Sequence, residues 1–188
     1  MRRLLLIVSI IFAAACSEPP QKELDQAQGA IDAARAAGAE QYAKDEYNAA
    51  TSSLQKAHEA VDQRDYRQAL SYALDARERA QEAARAGADG KAAARSKAES
   101  SIIALSAEVK QLDAKIKAAQ AAHVARRDLQ APRDVQQGAR DALQEAGTAL
   151  ARGDYKGATD AVAGQNVKVE NAIKAVQSTP ARAVHRKR

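Results

Sequence analysis

Cys16 is the only cysteine of the chain, and its setting is the one place where residue type and spacing favour a covalent reaction. It follows Ala13-Ala14-Ala15, small residues that suit a signal-peptidase cut, and it has no partner for an internal disulfide. Attachment of lipid at its thiol is the chemistry expected there. Other reactive residue types are dispersed. His58, His123 and His185 fall on separate segments, no His-Cys-carboxylate cluster has metal-ligand spacing, and no Gly-rich phosphate loop occurs. No catalytic residue, no metal and no cofactor beyond a covalent lipid on Cys16 is therefore expected. The carboxylates of the helices fall on polar faces beside Lys and Arg, where solvated ion pairs account for them.

The segment before Cys16 would deliver it. Arg2 and Arg3 form a basic start, and Leu4 to Phe12 an apolar run well short of the ~20 residues that span a bilayer. Residues 1–15 resemble a bacterial lipoprotein signal peptide, which implies that Cys16 becomes the first mature residue and carries the lipid. Ala13 stands where Leu or Val is usual, and Ala13-Ala14-Ala15 also fits an ordinary secretory cut that leaves a soluble periplasmic protein. Ser17 occupies the place where Asp would resemble an inner-membrane retention signal, so the expected location is the periplasmic face of the outer membrane. Residues 16–22 read as a tether stiffened by Pro19 and Pro20. Without residues 1–15 the chain holds 27 basic and 24 acidic residues, a net charge of about +3, and no basic stripe interleaved with aromatics. Nucleic acid is not an expected partner.

Alanine makes up about a quarter of the sequence, with Glu, Gln, Lys, Arg and Leu supplying much of the rest. These are the best helix formers. There is no Trp, the single Phe lies in the signal segment, and no strand-length alternation of Val, Ile or aromatics occurs. The expected fold is all-α, without β-sheet, built as elongated Ala-rich hairpins whose helices approach closely because alanine is small.

Punctuation divides the chain. Leu24, Ala27, Ile31 and Ala34 mark a first helix ending near Gly38, and Tyr47, Ala50, Leu54, Ala57 and Val61 a second. After a break at Gln63-Arg64-Asp65, the stripe from Tyr66 to Ala83 marks a third, with Asp65 as N-cap and Gln68 completing a capping-box-like pair. Gly87 and Gly90 each cost a helix about 1 kcal/mol, so a kink or break is expected there. Residues 23–90 thus form a first hairpin region and 91–128 a connecting long helix. A second hairpin spans 131–178, with Pro132 near its start, Val135 to Leu150 on one arm, a turn at Gly153-Asp154, and a single helix from Tyr155 to Val176 ended by Pro180.

At an offset of 89 residues, Leu54, Gln55, Asp65 and Tyr66 recur as Leu143, Gln144, Asp154 and Tyr155, together with matching alanines. The repeated unit is a helix, a tight turn with Asp-Tyr-x-x-Ala, and a second helix capped by the Asp. The turn is similar to that of the tetratricopeptide hairpin, although the period excludes an uninterrupted array of such repeats. Residues 16–90 resemble the bacterial envelope lipoproteins of domain of unknown function 4398. The likeness is carried by Ala30 to Gly38, by Glu40-Gln41-Tyr42-Ala43 leading into a helix, and by Asp65-Tyr66 opening an Ala-rich helix, with a weaker echo over 131–176. Arg64 stands where the family commonly has Gly, and Lys44 where it commonly has Pro; the second copy has both, as Gly153 and Pro132. The resemblance implies an envelope location. Some relatives are joined to OmpA-like domains that hold peptidoglycan; this sequence shows no such domain.

Ile102, Leu105, Val109, Leu112 and Ile116 form a short heptad seam whose residue choice suits a parallel two-stranded coiled coil. It either packs within its own chain or makes a homodimer, in which Glu108 and Asp113 would meet as like charges. Residues 179–188 form a basic tail expected to be disordered. Through Arg182, Arg186, Lys187 and Arg188 it could make weak contact with peptidoglycan or anionic lipid. The sequence thus predicts a non-enzymatic outer-membrane lipoprotein, anchored through its N-terminal lipid, that presents helical hairpins to an envelope protein partner. A soluble periplasmic adaptor is the alternative, and a helical lipid carrier the more remote one.

Overall fold

A computed structural model describes residues 18–179, so the signal segment, Cys16 and the basic tail from Pro180 lie outside the described residues. Those residues are mostly helical, with no strand among them, as composition predicts. The helices are α1 (Gln21–Ala36), α2 (Ala39–Tyr42), α3 (Lys44–Asp62), α4 (Tyr66–Ala121), a 3₁₀ turn at Arg126–Leu129, α5 (Gln130–Ala151), α6 (Tyr155–Val162) and α7 (Gln165–Ser178). The chain forms two compact units that divide between Gly90 and Lys91.

In the first unit, α1, α3 and the N-terminal part of α4 share one core. Leu24, Ala27, Ile31 and Ala34 supply the α1 face, Tyr47, Ala50, Leu54 and Ala57 that of α3, and Ala73, Ala76, Ala80 and Ala83 that of α4. Ten of the fourteen buried members of this cluster are alanines, so cohesion rests on close backbone approach more than on bulky side chains. Helix α1 ends as its Gly38 punctuation predicts, with Gly38 in the left-handed region at φ 93° and its N–H bonded to Arg35 O. The one-turn helix α2, which periodicity does not signal, then turns the chain into α3.

Of the kink or break expected at Gly87 and Gly90, the break does not occur: α4 runs continuously through both. The reason is tertiary. A Cβ built on Gly87 would lie 2.7 Å from both Cα and N of Ala39, and one on Gly90 would lie 2.9 Å from Tyr42 Cβ. The two glycines are where α4 receives the α2 corner, and their helix-propensity penalty is offset by that approach.

The second unit packs α4 beyond Lys91 with α5, α6 and α7 around Leu105, Val109, Leu112, Ile116, Leu129, Val162, Val169 and Val176, a core of larger side chains. Helix α4 ends at Ala121 and not near Arg127: His123 takes φ 61°, and the Val124 N–H reaches back to Ala119 O. The single last helix expected from Tyr155 to Val176 is two. Ala163 is extended, and Gly164 at φ 71° reverses the path before α7. The gap of seven residues between Val162 and Val169 keeps helical phase, which hides the interruption from a periodicity reading.

Candidate functional site

The motif residues Asp65, Tyr66, Gly153, Asp154 and Tyr155 sit at two closely similar corners. In the first, the Asp65 N–H bonds Ala60 O at 2.9 Å and the Arg64 N–H bonds Val61 O at 2.9 Å. In the second, Asp154 N bonds Ala149 O at 2.9 Å and Gly153 N bonds Leu150 O at 3.0 Å. Each Asp then caps the helix it opens: Asp65 Oδ1 accepts from Gln68 N at 3.0 Å, and Asp154 Oδ1 from Gly157 N at 2.8 Å. The residue before each Asp is left-handed, Gly153 at φ 79° and Arg64 at φ 60°. This explains why glycine suits the position and why Arg64 carries strain there. Tyr66 and Tyr155 are half-buried, Tyr155 against the second core.

The heptad-seam side chains lie inside the second unit. Leu105, Val109, Leu112 and Ile116 are buried and Ile102 is half-buried against them. Asp113 carries three hydrogen-bonding partners, Lys117 Nζ at 2.6 Å, Gln136 Nε2 at 3.1 Å and Arg140 Nη2 at 3.4 Å, which hold its carboxyl below the usual aspartate range. Among the described residues, Gln136 and Ser53 are the buried polar ones. Both were missed by the sequence reading, although Gln136 sits between Pro132 and Ala139 at the spacings of a buried stripe. Ser53 Oγ donates to Asp75 Oδ2 at 2.6 Å, and Arg79 Nε donates to the same oxygen at 2.8 Å; the arginine first, then the serine, lower the Asp75 pKa. Glu108 is the opposite case. Its Oε2 is buried without a hydrogen-bond partner, and desolvation, then the charge of Glu170, raise its pKa.

Between α1 and α3 the first unit has an open groove of about 500 Å³. Arg35, Thr51, Gln55, His58, Glu59 and Asp62 line it above the buried Ile31 and Leu54. Arg35 anchors one end: its Nε donates to Tyr47 OH at 2.9 Å and its guanidinium lies 5.9 Å from the centre of the Tyr47 ring. His58 and His123 are both exposed. Among the described residues no group of three or more His, Cys, Asp or Glu is placed to hold a metal ion, and no helix is long and apolar enough to cross a membrane.

Residues 22–100 match the model of a protein family described as Domain of unknown function (DUF4398), as the resemblance of the N-terminal half implies. The match covers less than half of the chain and takes in the whole described first unit from Lys22 onward. No curated protein and no solved structure matches the chain.

Proposed function

We propose that this protein is a non-enzymatic lipoprotein of the outer membrane, held by lipid on Cys16, which presents its helical units to the periplasm as a structural or protein-interaction module. The observation that carries the reading is the sequence Arg2-Arg3, an apolar run, Ala13-Ala14-Ala15 and then the single Cys16. Two features support it. The first helix begins at Gln21, so only a short segment with Pro19 and Pro20 separates the lipid site from the helices. Two carboxylates beside the cores are engaged in pairing, Asp75 with Arg79 and Asp113 with Lys117 and Arg140. Such pairing serves a scaffold.

The second reading, a soluble periplasmic adaptor, is favoured by Ala13, which turns the same stretch into an A-x-A secretory site. Envelope fractionation separates the two. The wild-type chain is expected with the outer membrane, and Cys16→Ala is expected to leave that fraction. Recovery of the wild-type chain in the soluble periplasmic fraction would overturn the anchored reading and leave the adaptor.

A further inference from the structure

The family match ends at residue 100, yet the second unit repeats the first beyond the turn motif. The Asp-Tyr corners are equivalent at an offset of 89, hydrogen bond for hydrogen bond. From there the burial pattern continues in both directions. Tyr47, Ala50 and Ala57 of α3 are buried, and so are Gln136, Ala139 and Ala146 of α5. Downstream, Ala73, Ala80 and Ala83 of α4 correspond to Val162, Val169 and Ala172, all buried. The equivalence therefore passes straight across the interruption at Gly164. Gly87, buried against α2, corresponds to the buried Val176.

The third helix is repeated as well, at an offset of 85. Leu24, Ala27 and Ile31 of α1 correspond to Val109, Leu112 and Ile116 at the end of α4, all buried. Both helices stop in the same way. The Gly38 N–H bonds Arg35 O with φ 93°, and the His123 N–H bonds Gln120 O with φ 61°. The change of offset falls within the corner that follows, α2 in one unit and the 3₁₀ turn in the other. We infer that the second unit is a diverged second copy of the whole three-helix domain that the family match finds only once.

The copies share their buried faces and their capped corners. At the surface beside the two corners Lys56 faces Glu145 in the comparison, and Gln63 faces Arg152. The Arg35–Tyr47 contact has Gln120 and Gln136 in its place. One scaffold thus carries different surface residues at equivalent places in the two copies. This conclusion is independent of how the N-terminus is anchored.

The test is a graft in the full chain, with residues 139–158 replacing residues 50–69, next to a control graft of residues 138–157 at the same place. If the units are copies, the in-register graft keeps its buried face, and the first unit unfolds cooperatively within about 10 °C of wild type. The control turns that face by one residue and abolishes the transition. Loss of the transition in both grafts, or its survival in both, would overturn the inference.

Discussion

Gly87 and Gly90 offer a contrast in which local and tertiary physics predict opposite signs. On helix propensity alone, Gly→Ala in a helix interior gains about 1 kcal/mol. Gly138 in α5 tests that term, because a Cβ there meets nothing within 4 Å. Gly138→Ala should therefore stabilise by about 0.5–1 kcal/mol. At Gly87 the same methyl would lie 2.7 Å from two backbone atoms of Ala39, about 1 Å inside normal contact. Backbone cannot rotate away as a flexible side chain would, so the overpacking cost lies at the upper part of the usual 1–3 kcal/mol, about 2–3. Subtracting the propensity gain leaves Gly87→Ala destabilising by about 1–2 kcal/mol. For a unit of this size each kcal/mol is worth about 4–8 °C in Tm. Thermal unfolding of both variants, followed by calorimetry and circular dichroism, should show shifts of opposite sign. If Gly87→Ala stabilised as much as Gly138→Ala, α4 would not receive the α2 corner as described, and the close-approach account of the first core would fail.

The duplicated corners yield a second pair. Gly153→Ala should destabilise by about 1 kcal/mol, because the left-handed backbone penalises a Cβ even in open space. Arg64→Gly should gain about 0.5–1 kcal/mol at the equivalent place, the relief of strain being partly offset by the freer unfolded chain; equilibrium urea unfolding reads both. Loss of either cap, Asp65→Ala or Asp154→Ala, should cost about 1 kcal/mol, with faster amide exchange at Gln68 or Gly157 locating the damage. Glu108→Gln should stabilise the second unit at neutral pH, because the folded state raises the Glu108 pKa and so disfavours its ionised form. That advantage should vanish as pH falls through the carboxylate range and wild-type Glu108 takes up its proton; an advantage constant with pH would contradict the burial of its charge. Asp75 has the opposite sign. Its lowered pKa contributes stability above the ordinary aspartate pKa that is lost in more acid solution, and Ser53→Ala should weaken that acid dependence.

Much of this architecture was legible in the residues. Alanine content and the absence of strand patterns dictate helices, and the three- and four-residue spacings of Leu24 to Ala34 and of Tyr47 to Ala57 name the faces that are buried. Asp65 and Asp154 are caps on sequence grounds and caps in space, because N-capping is local chemistry. The failures are equally physical. Gly87 and Gly90 look like breakers because propensity sees only the helix, whereas their role is set by Ala39 and Tyr42, far away in sequence. Gly164 escaped because the apolar stripe stays in phase across it, and the end of α4 was placed too late because His123 adopts a left-handed conformation that its residue type does not announce. Buried Gln136 and Ser53 depend on partners contributed by another helix, Asp113 and Asp75, which no spacing rule within one helix reveals.

The central claim is that Cys16 carries the anchor, and the intact mass of the mature protein from a Gram-negative envelope fraction tests it most directly. The account predicts the mass of residues 16–188 increased by a diacylglycerol and a further acyl chain. A mass equal to residues 16–188 alone would contradict it, making Ala13-Ala14-Ala15 an ordinary secretory site and the protein a soluble periplasmic one.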